Sequence, residues 1–184
     1  MARIALALVV AVVLVVAVVA ASRDGDTEAT PALAPVAEAT CSTAGDAPGR
    51  WRAGASDAAF GPLTLRGAGG SARILPTAFD GRGYKLPVQV RHGAVVTLSV
   101  PKALRGRVGL AYAVEGRTWA GQGWTDPSVA DASVRFSACP ASGRPGSSGW
   151  TGGVLVDRPR CVTLVATLAD GTAIRRRLPL GLRC

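Results

Sequence analysis

Between Cys41 and Cys184 no stretch keeps a helical period for three turns, and this limits the fold more than any other feature of the chain. Apolar residues recur at every second position in short runs, and clusters of Gly, Pro, Asp and Ser interrupt those runs. Alternation puts an apolar row on a covered face and a polar row on the other, the pattern of half-buried β-strands. Strands are expected at Pro62–Arg66, Arg73–Phe79, Arg107–Ala113, Ser133–Ala138 and Gly153–Val156, besides four more in two hairpins. The expected fold class is all-β, an antiparallel β-sandwich of about seven to nine short strands.

Parity gives each hairpin a register, because partners must match covered row to covered row. In KLPVQVRHGAVVTLSVP (85–101) it pairs Val90 with Val96, Val88 with Leu98 and Leu86 with Val100, around His92-Gly93-Ala94. In CVTLVATLADGTAIRRRLPLGLRC (161–184) it pairs Leu168 with Ile174, Ala166 with Arg176 and Leu164 with Leu178, around Asp170-Gly171-Thr172. Arg176 then sits in the apolar row with its stem over Ala166 and its charge reaching outward. Arg175 and Arg177 point to the other face.

The compartment follows from the N-terminus and the cysteines. Ile4 to Ala21 are eighteen apolar residues without a charge, Gly or Pro, about 27 Å as a helix. Residues 1–21 read as a signal-anchor or a signal peptide, the anchor favoured because the run exceeds the usual signal core. Arg3 before it and Asp24, Asp26 and Glu28 after it orient the remainder outside the cytoplasm. Residues 22–40, with two prolines and four acids, read as a disordered spacer leading to a domain at 41–184. The four cysteines, Cys41, Cys139, Cys161 and Cys184, are widely spaced and lack histidine companions, so two disulfides are expected and no metal site or cofactor. Three pairings are possible. Cys139–Cys161 and Cys41–Cys184 are adopted as the expectation.

Charge constrains the partners. The chain is formally +9, and residues 41–184 carry 19 Lys+Arg against 8 Asp+Glu. Arg exceeds Lys 19 to 2 and Asn is absent, which fits GC-rich coding. A basic exported domain suits a solvated surface or adhesion to an anionic envelope polymer, and nothing here has a nucleic-acid-binding pattern. His92, the only histidine, falls at a hairpin tip and is expected to be exposed. RGAGGS (66–71) has no following helix and reads as a turn, and no nucleophile elbow occurs.

Two stretches are candidate sites. RTWAGQGWTDP (117–127) sets Trp119 and Trp124 in a Gly-rich loop with Arg117 and Gln122, residues on which a sugar or aromatic ligand could stack. Against that, the tryptophans could plug one end of the core. WTGGVLVDRPRC (150–161) combines a Gly pair, Asp157, Arg158 and Arg160 around Pro159, and a cysteine, and reads as a disulfide-held corner. Arg175, Arg176 and Arg177 form a basic patch.

WRAG (51–54), FSACP (136–140), GGVLV (152–156), RCVTLVA (160–166) and LGLRC (180–184) resemble uncharacterised exported, cysteine-framed β-domain proteins of GC-rich bacteria. The resemblance implies the fold and the compartment and carries no activity. The expectation is therefore an exported, envelope-associated binding or interaction module without catalytic activity. It would meet the membrane through residues 4–21 if uncleaved, and an anionic polymer or a membrane-protein partner beyond it. The competing readings are an enzyme acting on envelope polymers, with Asp126 or Asp157 as acid, and a structural ectodomain docked to a membrane protein.

Overall fold

Short alternating runs cannot bury themselves singly, and the chain answers by packing three sheets around shared apolar rows. A computed structural model describes residues 36–47, 52–69, 74–76, 83–117, 126–141 and 146–184, all within one compact unit, 34–184. The expected signal-anchor at 1–21 and the spacer as far as residue 35 lie outside the described residues. The described chain is mostly β, as expected, but more finely divided: thirteen strands in three sheets.

The first sheet runs β1 (Ala37–Ala39), β9 (Ser133–Ser137), β7 (Val95–Ser99), β12 (Arg160–Leu168), β13 (Ala173–Leu180) in spatial order, with β1 parallel to β9 and the rest antiparallel. The second runs β2 (Gly45–Ala47), β10 (Ser147–Trp150), β6 (Val88–Arg91), β4 (Leu63–Leu65), β3 (Ala58–Phe60), and the third β5 (Gly83–Lys85), β11 (Gly152–Val156), β8 (Val108–Tyr112). The second and third share one long antiparallel pair. Arg91 faces Ser147, Val88 faces Trp150, Lys85 faces Gly153 and Gly83 faces Leu155, a single unbroken register. Leu86 N–H donates to Gly152 O at 3.0 Å and carries the ladder across the break, where Pro87 has no N–H to give.

One buried cluster draws side chains from all three sheets, including Val88 and Val90, Leu98 and Phe136, Val162 and Leu164, and Leu110 and Val154. The alternation seen in the sequence is therefore real. Its use differs. Val88 and Val90 belong to the second sheet while Val96 and Leu98 belong to the first, so residues 92–94 cross between sheets and do not close a hairpin. Parity says which face of a strand is covered; it does not say whether the covering row is a neighbour in the same sheet or one across the core. Gly93, at φ 77°, makes the crossing turn.

The second hairpin exists, two positions out of the expected register. Leu164 faces Arg176 and Ala166 faces Ile174. The loop is Ala169-Asp170-Gly171, closed by Gly171 N–H on Leu168 O at 3.0 Å with Gly171 at φ 85°. This is the three-residue turn that needs a left-handed third residue, so the glycine belongs at its end and not at its centre. Asp170 accepts the Thr172 N–H at 2.8 Å, which holds its carboxyl below the ordinary range.

Of the other expected strands, those near 62–66, 107–113, 133–138 and 153–156 form, while of 73–79 only Ile74–Pro76 is described, with Ile74 bridging to Leu180. The fold begins before Cys41: β1 lies inside the stretch expected as spacer, and Ala39 is fully buried. The disulfides are Cys41–Cys139 and Cys161–Cys184, not the expected Cys139–Cys161 and Cys41–Cys184. Strand pairing explains both bridges. Ala39 lies beside Phe136, so the parallel pair delivers Cys41 to Cys139. Arg160 lies beside Leu180, so the end of the chain returns to Cys161.

Two outcomes follow for stability. Loops of 98 and 23 residues give roughly 5 and roughly 3 kcal/mol by chain entropy, so Cys41→Ala/Cys139→Ala should lower the urea midpoint more than Cys161→Ala/Cys184→Ala. Equal losses would contradict this. Burial pushes the Tyr112 hydroxyl, which donates to Leu86 O at 2.9 Å, above its ordinary value. That contribution is complete below about pH 10, the pKa of an unfolded tyrosine, and is lost as pH rises beyond it. Phenolate absorbance from one of the two tyrosines should then appear only together with loss of the β circular dichroism.

Candidate functional site

The corner 150–161 is built for packing. Trp150 is 1% exposed, and its Nε1 donates to Thr40 O at 3.2 Å and Thr43 Oγ1 at 3.1 Å, tying the N-terminal segment to β10. Gly152 and Gly153 allow close approach: a side chain on the first would collide with the Tyr112 ring, on the second with the Tyr84 carbonyl. Arg160 pairs with Asp157 at 2.7 Å, and Cys161 is bridged to Cys184. Trp150, Asp157, Arg160 and Cys161 each have a structural partner, while Thr151 and Arg158 are exposed and Arg160 Nε is buried without a bond among the described residues; the partners fit a corner.

Of the loop residues, Trp119, Gln122 and Trp124 lie outside the described residues. Arg117 is described. Its Nη2 donates to both oxygens of Asp131 at 2.8 and 2.7 Å, and Asp131 is itself laddered to Leu110 through both backbone groups. Arg117 thus anchors the base of that loop, on the rim of a cleft of about 310 Å³ shared with Ser42, Thr43, Val114 and Gly116. The two acids weighed for catalysis have local work, Asp126 accepting the Ser128 N–H at 2.8 Å and Asp157 pairing with Arg160. His92 is half-buried and not an exposed tip; its ring lies over Gly146, and its Nδ1 is buried without a partner.

The three consecutive arginines divide by parity. Arg176 lies in the core-side row of β13 but is itself exposed; its Nε donates to Ala59 O in β3 at 3.0 Å, while its Nη1 returns to Arg175 O at 3.1 Å. It clasps the edge of the first sheet to the edge of the second. Arg175 and Arg177 face away from the core and are exposed.

That outward face carries residues the sequence did not single out. Across the strands, Arg175, Val165, Ser99 and Ser133 form one row, and Thr167, Thr97, Arg135 and Glu38 the next. Thr163 stands beside Arg177. The floor is hydroxyl-rich and half-exposed, and Ser133 Oγ donates to Ser99 Oγ at 2.9 Å. Arg135 on β9 and Arg175 and Arg177 on β13 flank it, and none of the three makes an ion pair among the described residues. The signal for Arg135 was its place between the apolar Val134 and Phe136, which dictates an outward side chain.

A second recess opens where the long strand pair breaks. It holds about 290 Å³, and Thr43, Gly45, Arg66, Gln89, Gly149 and Thr151 contribute to its lining. Arg66 is held there by Asp57, Nη1 to Oδ2 at 2.8 Å, and the Asp57 side chain is only 5% exposed.

Arg176→Ala should lower unfolding free energy by about 0.5–1 kcal/mol, the worth of an exposed hydrogen bond between two sheet edges, whereas Arg175→Ala and Arg177→Ala should change it by less than about 0.5 kcal/mol. Denaturant titration of the three variants checks the division, and equal effects would erase it.

Comparison with protein-family models, curated proteins and solved structures finds no match to this chain.

Proposed function

We propose that this chain is an exported, envelope-associated binding module without catalytic activity, and that the outward face of its first sheet takes up an anionic envelope polymer. The observation that carries the reading is the position of Arg135, Arg175 and Arg177, three exposed and unpaired guanidinium groups on one face with a hydroxyl floor between them. β9 and β13 are three strand spacings apart, about 14 Å, so the two banks of charge leave room for a polymer chain between them. Guanidinium groups fit phosphate and carboxylate in a forked geometry, and the serine and threonine hydroxyls can meet the polymer's own hydroxyls. Glu38 is the one acid in these rows, at their far edge.

The finer fold reading is an antiparallel β-sandwich, the first sheet forming one layer and the joined second and third sheets the other. Two disulfides fit an oxidising compartment outside the cytoplasm. Residues 4–21 supply the membrane anchor in this reading, and the resemblance to exported cysteine-framed proteins agrees with it.

The full-length chain in detergent should co-sediment with isolated cell-envelope polymer at low salt. Binding should weaken as the Debye length falls below about 10 Å near 0.1 M salt. Arg135→Ala/Arg175→Ala/Arg177→Ala should lower affinity about tenfold or more and flatten the salt dependence, with the midpoint of unfolding unchanged. Sedimentation equal to that of the parent chain would remove this face from the reading. Absence of binding by the parent chain at low salt would remove the polymer.

A further inference from the structure

The recess at the break in the long strand pair has a floor without side chains. In the row that faces outward across the second sheet, Gly45, Gly149 and Gln89 are neighbours, so two of three adjacent positions are glycine. Gly45 needs neither the conformation nor the space that usually requires glycine. Its φ is not in the left-handed region, and a Cβ there would find only Gly149 O, at 3.9 Å. Gly152 and Gly153 on the same long strand are the contrast, because a Cβ on either would strike a neighbour. The fold accounts for those two; an open floor accounts for Gly45.

Around this floor the lining mixes apolar Pro87, Val88, Ala113 and Trp150 with neutral polar groups and a single cation, Arg66. Thr151 brings a hydroxyl and Gln89 an amide, while the Thr43 hydroxyl donates to Thr40 O at 3.1 Å and accepts from Trp150; no carboxylate is in the lining. Arg66 is oriented before any ligand arrives. Asp57, nearly buried and also accepting the N–H groups of Gly54 and Gly67 at 2.8 and 2.9 Å, fixes one end of the guanidinium, and Arg52 O takes a second bond from the same nitrogen at 3.3 Å. The remaining N–H groups, on Nε and Nη2, make no hydrogen bond among the described residues. Among the described residues the one aromatic ring in the lining is that of Trp150, which is 1% exposed with its Nε1 already bonded. A volume of about 290 Å³ lies at the foot of the range for small-molecule sites, room for one ring and not for a chain.

We infer that this recess binds a single anionic monosaccharide unit, its charged substituent on Arg66 and its hydroxyls on Gln89 and Thr151 above the Gly45–Gly149 floor. A carboxylate and a phosphate satisfy Arg66 equally in chemistry, and both are anionic substituents of sugars. The site lies on a different sheet from the Arg135, Arg175 and Arg177 face and stands without it.

Saturation-transfer NMR on the full-length chain in detergent, with glucuronate, glucose 6-phosphate and glucose as probes, tests this. Transfer to one or both anionic sugars, stronger than to glucose, is expected, and their order names the substituent. Gly45→Leu should abolish the transfer without lowering the melting temperature, and Gln89→Ala, which adds no bulk, should weaken binding severalfold. Arg66→Gln should cost about tenfold, equivalent to about 1.4 kcal/mol, and remove the preference over glucose. The Arg135→Ala/Arg175→Ala/Arg177→Ala variant should keep full transfer, which separates this site from the polymer face. No transfer to any probe, or transfer in Gly45→Leu and Gln89→Ala equal to the parent, would overturn the inference.

Discussion

Three rings hold three sheets together. Phe136 of the first sheet lies 5.2 Å from Trp150 of the second and 5.2 Å from Tyr112 of the third, edge to face with each. Such contacts contribute about 0.5–1.5 kcal/mol apiece beyond the area they bury. Their larger effect is on geometry. Tyr112 also bonds Leu86 O, one residue before Pro87, and Trp150 bonds Thr40 and Thr43, which lead out of β1 and into β2. The break in the long strand pair, the docking of the N-terminal segment and the approach of Cys41 to Cys139 all depend on where these rings sit. Among the described residues, this cluster of three rings lies where the sheets meet.

How far the fold can be seen in the sequence depends on what each local signal encodes. Alternation marked Val88, Val90, Val96, Leu98, Val162 and Leu164 correctly as covered, because burial on one face is a property of the strand alone. It could not assign partners, because a covered row is equally served by a neighbour in the sheet and by the sheet opposite. Strands β1, β2, β5 and β10 read Ala-Glu-Ala, Gly-Asp-Ala, Gly-Tyr-Lys and Ser-Ser-Gly-Trp. β1 and β2 have no strand-forming residue of their own, and β5 and β10 have one each, Tyr84 and Trp150, so their neighbours supply most of it. The disulfides failed for the same reason. Their pairing follows from β1 lying parallel to β9, and nothing in residues 37–39 announces that contact.

The candidate sites were legible in a similar, partial way. The arginine run 175–177 was visible, and so was the place of Arg176 in the core-side row against its neighbours' outward aim. What Arg176 reaches, the carbonyl of Ala59 on a strand over a hundred residues earlier, depends on long-range packing. Arg135 could have been found by the same alternation, since it sits between two core residues. The recess around Gly45 could not, because an open floor is the meeting of two glycines from distant strands, and each alone looks like an ordinary turn or spacer residue.

The distribution of arginine also bears on what kind of protein this is. A GC-rich coding bias scatters arginine wherever the surface tolerates it, and it predicts that arginines will find whatever acid is near. Several do: Arg66 with Asp57, Arg117 with Asp131, Arg160 with Asp157. Each of these pairs holds a loop or corner in place. The arginines of the first sheet's outward face behave otherwise. They stand on strands among hydroxyls and make no ion pair among the described residues, although Glu38 is the cross-strand neighbour of Arg135. Composition can supply arginines of both kinds. Three of the described acids are committed to loops and corners by these pairs, and Glu38, at the edge of the first sheet, is the one acid in the rows of its outward face, which leaves that face with an excess of positive charge.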